Sequence, residues 1–205
     1  MVTSSSTNRS SGPGGKAART RRLLQCCTLD VIAETGEFTG EVVADRAGVS
    51  IGTFYSHFAT KDHAIEACLA VCFEEYEKQT KQVESIEHLL DAGLEATLAA
   101  IVATITRLNG EYRGLLRLAR ARIQASHLLR EQSRTEERRA FAATLRLIQL
   151  GQAAGRIRAG EPEVLTATVR TVLDGLDTWT IRAHPEVASR EIPELLTRYL
   201  SPSAS

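Results

Sequence analysis

Gly48 and Ser50 stand two residues apart between two short stretches of helical periodicity, and together they fix the local fold. Ala47-Gly48 fits a helix stop, with glycine just past the last helical residue. Ser50 is a favoured N-cap, whose hydroxyl accepts an orphan backbone N–H of the turn that follows. Two short helices joined by a three- or four-residue turn containing glycine form a helix-turn-helix. The second helix carries Thr53, Tyr55 and His57, and Lys61 begins the helix after it. These hydroxyl, imidazole and ammonium donors suit phosphate oxygens, so the implied ligand is DNA.

The rest of the chain has helical spacing throughout. Apolar residues recur at intervals of three and four, aromatics make up only 5% of the sequence, and no β-branched alternation is seen, which predicts an all-α fold. At 205 residues such a chain buries a sizeable core without disulfides or metal. Residues 1–16, rich in Ser, Thr, Gly and Asn, are expected to form a disordered arm. Residues 17–62 are expected to form a three-helix helix-turn-helix domain, and residues 63–205 a larger helical domain. The first helix is expected from about Ala17 to Gly36, with Leu23, Leu24, Cys27, Val31 and Ile32 inward. Val43, Ala47, Val49, Phe54 and Phe58 are expected to bury the helix-turn-helix over about 40–57. A helix capped by Thr60 is expected to reach about Val83, and another about Ile86 to Leu108, stopped by Asn109-Gly110. A basic helical stretch follows over 111–127, then a helix from about Leu128 to Ala154. Pro162 is expected to open a helix that runs to His184-Pro185, with Leu165, Val169, Val172, Leu176 and either Trp179 or Thr180 inward. Gly175 there is expected to admit a neighbouring backbone. The last helix is expected over about 188–200.

The formal net charge is zero, so the distribution matters more than the sum. Arg9, Lys16, Arg19, Arg21 and Arg22 all precede the first acidic residue, Asp30, whereas Glu74, Glu75, Glu77, Glu84, Glu87 and Asp91 cluster in the middle. The basic N-terminal arm either follows a DNA backbone or minor groove, or simply solubilises the chain. No apolar run approaches the ~20 residues of a membrane span and no signal-peptide core is visible, so a cytoplasmic protein is expected. Cys26, Cys27, Cys68 and Cys72 contain no Cys-x-x-Cys and read as buried small hydrophobes, with disulfide sensing the minor alternative. Glu84-x-x-x-His88 puts two metal-ligand types on one helix face without a matching pair elsewhere, and no nucleophile motif occurs. Neither an enzyme nor a metal or other cofactor is expected.

Leu23-Leu24-Gln25-Cys26-Cys27, the Val43–Ser50 segment, and Gly52–Phe58 followed by Lys61 resemble the DNA-binding region of the TetR family of bacterial transcriptional regulators. The remaining two thirds match in architecture only, through the order of long helices and a junction between Gly151 and Pro162. The resemblance implies that Thr53, Tyr55, His57 and Lys61 contact phosphates. It places Ile51, Gly52 and Ser56 at base edges, with Ser50 in the turn and Thr39, Gly40 and Glu41 near the start of the preceding helix. One departure is a connection between Gly36 and Val43 shorter than the family's usual one, with Glu41 positioned to repel phosphates if it faces them. The resemblance also implies a homodimer on a palindromic double-stranded operator, formed through about 130–155 and 162–183 with Ile148, Gly151, Gln152, Leu165, Val169, Val172, Gly175 and Leu176 at the interface. It implies a repressor released by a small, largely apolar effector, held by Phe73, Tyr76, Leu98, Ile101, Leu118, Arg122, Phe141, Leu145 and Trp179. The alternative is a helical interaction protein that keeps the fold and has lost specific DNA binding.

Overall fold

The computed structural model describes residues 13–202, and among them every regular element is helical. Helix α1 (Pro13–Thr35) begins before the expected start at Ala17, because proline in a first turn pre-sets φ and lacks only an N–H that would be unpaired anyway. Residues 1–12 of the expected arm, Arg9 among them, lie outside the described residues. Leu24, Cys27, Val31 and Ile32 are buried as expected, but Leu23 is exposed because it falls on the outer side of that stripe.

The signals around the helix-turn-helix translate directly into geometry. Helix α2 (Gly40–Ala47) is capped by Thr39 and ends on Gly48, whose φ of +65° is the left-handed conformation that glycine adopts without strain. Helix α3 (Ile51–His57) is capped by Ser50, whose Oγ accepts the Thr53 N–H at 3.1 Å. Thr60 caps α4 (Lys61–Val83) in the same way, accepting from the His63 N–H.

Helix α5 (Ile86–Glu111) departs from expectation twice. It continues through Asn109-Gly110, where the Tyr76 hydroxyl donates to Asn109 Oδ1 at 2.5 Å and ties that turn to α4. It kinks instead at Gly93, which has φ +85°. By length and composition α5 is also apolar enough to cross a membrane, which corrects the expectation that no such run exists. In this fold its Leu98, Ile101, Val102 and Ile105 are core residues.

The chain continues through α6 (Arg113–Ile123), α7 (His127–Ala153) and α8 (Pro162–Asp174). A 3₁₀ turn at Gly175–Asp177 then separates α8 from the short α9 (Trp179–Ala183), so the single helix expected from Pro162 to His184 is broken. Gly175 has an ordinary φ of −72° and open space where a Cβ would sit, so it admits no neighbouring backbone. A π turn at Val187–Glu191 leads into α10 (Ile192–Leu200). Close backbone approach occurs at Gly114 of α6, where a Cβ would lie 2.8 Å from the Ile32 carbonyl oxygen of α1.

Two apolar clusters fill the molecule. The first joins α1, α2 and α3 to the N-terminal half of α4, to Leu115 and Ala119 of α6 and to Leu129 of α7. The second is built from α5, α7, α8 and α10, and Tyr76 of α4 packs against both. Helix α4 therefore connects the helix-turn-helix to the body.

Candidate nucleic-acid interface and central cavity

Helix α3 is seated by Phe54, which is buried and meets Phe58 and Tyr55 edge-on at ring-centroid distances of 5.5 and 5.4 Å. That anchoring turns Ile51, Gly52, Tyr55 and Ser56 to solvent, with Tyr55 50% exposed, while Thr53 and His57 are half-buried at the edges. Thr53 Oγ1 lies 2.9 Å from Ser50 Oγ, and Ser56 Oγ donates to the Thr53 carbonyl at 2.7 Å, so these hydroxyls keep lone pairs outward and reorient to donate. Lys61 Nζ sits 4.9 Å from the centroid of Phe38 in the first turn of α4.

Two residues of the preceding helix have structural duties. Gly40 is buried, and a Cβ there would stand 3.0 Å from Phe54 Cδ1 and 3.1 Å from Ile51 Cδ1. It lets α2 and α3 approach and offers no surface to a base, which corrects its expected place. Thr39 is exposed and its hydroxyl caps α2, while Glu41 lies in that helix's first turn, where a carboxylate is favoured by the helix dipole.

Phe38 escaped the sequence reading, which places Arg21 only in the basic arm. Arg21 Nη1 donates to the His57 carbonyl at 2.9 Å, capping the C-terminal end of α3, and its guanidinium lies 4.8 Å from the Phe58 centroid. Its place three residues before buried Leu24 puts it on the inward side of α1, which is the signal that was available. Phe38 is buried in the short connection before α2.

A cavity of about 980 Å³ opens between α4, α5, α6, α7 and α8, within the usual size range for small-molecule sites. Of the expected pocket residues, Phe73, Tyr76 and Ile101 line it. Leu98 lines a separate apolar void of about 20 Å³. The others do not reach the cavity. Leu118 packs against the first cluster, Arg122 Nε donates to Asp62 Oδ1 at 2.5 Å, and Trp179, carried past the break at Gly175, is 72% exposed. Phe141 and Leu145 fall round α7 from the Ser133, Glu136 and Ala140 stripe that faces the cavity.

Charge is abundant in this cavity. Arg120 pairs with Asp177, Arg139 with Glu136 at 2.8 Å, and Arg170 with Asp174. Glu84, at the C-terminal cap of α4, lines the cavity and accepts from Thr144 Oγ1 at 2.6 Å. Burial raises its pKa above the ordinary carboxylate range, against the opposing effects of the Thr144 hydroxyl and Arg170. At Asp62 burial also acts upward, but the hydrogen bonds from Arg122 and Ser126 outweigh it and hold the carboxyl below its ordinary value. Burial pushes the Cys68 and Cys72 thiols up to about 12, which suits small buried hydrophobes.

The raised Glu84 pKa has a definite sign for stability. The unfolded chain gives up this proton near pH ~4.3 and the folded chain only at higher pH, so folding binds a proton between the two values and loses stability as pH rises through that window. Glu84→Gln keeps an acceptor for Thr144 and removes the titration. The variant is expected to melt with the parent at pH ~4 and above it at pH 7, by about 2–4 °C for each kcal/mol of relief. Thermal melts across that range test this, and parallel curves would contradict it.

The expected interface residues are mostly internal. Ile148, Gly151, Leu165, Val169 and Leu176 are buried in the chain's own second cluster, because they form the inward stripes of α7, α8 and the turn after it. Gln152 Nε2 donates to the carbonyls of Arg158 and Gly160, each at 3.0 Å, and braces the connection to α8; Val172 and Gly175 are half-buried. The outward faces of α7 and α8 instead show Leu150, 41% exposed, and Val164, 54% exposed.

Fold and site together define a helix-turn-helix domain joined to a larger helical body. The family model described as bacterial regulatory proteins, tetR family, matches residues 35–68, from the end of α1 to the second turn of α4. That segment resembles the family's DNA-binding region, and the whole chain has the fold of solved TetR regulators. Among solved structures it is similar to a TetR transcription regulator from Haloarcula marismortui, at 18% identity and a TM-score of 0.75 over 89% of this chain and 97% of that one. It is similar to SmeT in its triclosan complex, at 18% identity and 0.68 over 91% and 93%. A TetR transcription regulatory protein from Mycobacterium vanbaalenii gives 21% identity and 0.59 over 92% and 98%. No curated protein matches the chain.

Proposed function

We propose that the protein is a cytoplasmic transcriptional repressor rather than an enzyme, which holds a palindromic double-stranded operator as a homodimer and releases it when a small, largely apolar effector enters the central cavity. The observation that carries this reading is the solvent face of α3, where Ile51, Gly52, Tyr55 and Ser56 are presented between Thr53, His57 and Lys61 on a helix fixed at both ends. Thr53, Tyr55, His57 and Lys61 hold phosphates, and Ile51, Gly52 and Ser56 meet base edges. Residues 17–62 act as the DNA-binding domain and 63–205 as the effector and dimerisation domain. Two copies joined through the outer faces of α7 and α8, with Leu150 and Val164 at the contact, place two recognition helices about 34–36 Å apart on successive major grooves.

SmeT is solved with triclosan, which supports a small-molecule role for the cavity in this related fold. The route from cavity to DNA is short. Leu116, Ala119 and Ile123 of α6 line the cavity, and Arg122 on the same helix grips Asp62, the neighbour of Lys61. An effector that binds more tightly to a displaced α6 moves the start of α4 and releases DNA by its differential affinity for that state.

Retention of genomic fragments at low salt tests the reading, which fails if none is held. Lys61→Ala is expected to weaken binding uniformly across sequences and to reduce the salt slope by about one. Replacement of Ser56 is expected to change sequence preference instead.

A further inference from the structure

We infer that the effector cavity is built for an organic cation, an apolar molecule with one positive centre that settles beside Glu84. The lining arginines, Arg120, Arg139 and Arg170, are each already paired with an acidic residue of the same cavity. Four lining carboxylates remain, Glu74, Glu77, Glu84 and Glu137, and none of them pairs with a lysine or arginine among the described residues. The balance inside the cavity is therefore negative once its internal pairs are counted.

Glu84 is the deepest of the four, since it also borders the small apolar void beneath, and its hydrogen-bond donor is the neutral Thr144 hydroxyl. A carboxylate removed from water without a cation is costly, and a bound positive group relieves that cost. Phe73 and Tyr76 line the same cavity, and aromatic rings attract organic cations. Leu69, Ile105 and Leu116 supply the apolar surface that such a molecule needs. An anionic effector would have to break arginine pairs that are already made, and a neutral one would leave Glu84 with only the Thr144 hydroxyl and the field of Arg170, which is already paired with Asp174.

The inference rests on reading the cavity as the effector site, and its test separates the two. Tetraphenylphosphonium, tetraphenylborate and triphenylphosphine oxide present similar phenyl surfaces with positive, negative and zero charge. Calorimetric titration of the full chain without DNA is expected to show the phosphonium binding about tenfold or more tightly than either of the others, as a desolvated charge contact requires. Glu84→Gln, which retains an acceptor for Thr144, is expected to remove most of that preference. The exposed pair Glu74→Gln with Glu77→Gln is expected to reduce it less, and serves if the Glu84 variant fails to fold. Equal or tighter binding of the borate or the oxide overturns the cation and leaves an effector cavity standing, as does a preference unchanged in the variants. Binding of none of the three overturns the cation outright. A phosphonium preference in a protein that retains no DNA supports the cation and removes the repressor.

Discussion

Replacing Phe54 with alanine is expected to destabilise the protein by about 3–5 kcal/mol and to abolish retention of DNA. Phe54 is among the largest fully buried side chains, and its ring supports Gly40 of α2 while meeting Phe58 and Tyr55 edge-on. Helix α3 has only seven residues, too few to hold helical form alone, so its stability comes from this packing and its caps. Truncation leaves a cavity where α2 and α3 cross, and the recognition helix loses its seat. At about 2–4 °C per kcal/mol the melting temperature should fall by roughly 6–20 °C. Tyr55→Ala on the same helix removes an exposed ring, so it should weaken DNA binding with little change in melting. If Phe54→Ala melts with the parent, the packing account of the helix-turn-helix is wrong.

Features that depend on neighbours within one turn were legible in the sequence. The caps at Ser50 and Thr60 and the stop at Gly48 each rest on a hydroxyl or a φ value chosen by the local chain, and each appears where it was read. Features that depend on distant partners were not. Arg21 looked like part of a basic arm, and only the fold places its guanidinium against the carbonyl of His57, 36 residues away. Glu84 looked like half of an incomplete metal pair, and its meaning comes from the helices that close around it. The inward and outward faces of α7 were exchanged for the same reason, since periodicity marks a stripe without saying whether the same chain or a second copy covers it.

Glu84 also shows why stability and function pull apart here. The variant expected to melt higher at neutral pH is the one expected to lose its preference for a cation, because both effects come from one half-buried carboxylate with no salt-bridge partner of its own among the described residues.

Gly114→Ala is expected to destabilise the protein by about 1–3 kcal/mol, although alanine in a helix interior ordinarily gains up to about 1 kcal/mol over glycine. The contact decides the sign. The new Cβ would lie 2.8 Å from the Ile32 carbonyl oxygen and 3.0 Å from Ile32 Cγ2. That same oxygen accepts the Gly36 N–H at 2.8 Å at the end of α1, so it belongs to backbone that has no rotamer to change. Relief requires α6 to move away from α1, which strains the Arg117 contact with the Gly36 carbonyl and the Arg122 pair with Asp62 beside Lys61. Weaker DNA binding without any effector should therefore accompany the lower melting temperature. Gly110→Ala near the end of α5 is the control, because nothing lies within 4 Å of the Cβ it would add. Its effect on stability should stay within about 1 kcal/mol, with DNA affinity unchanged. Paired melts and DNA titrations decide the matter, and a Gly114 variant as stable as the parent would mean that α6 is free to slide on α1.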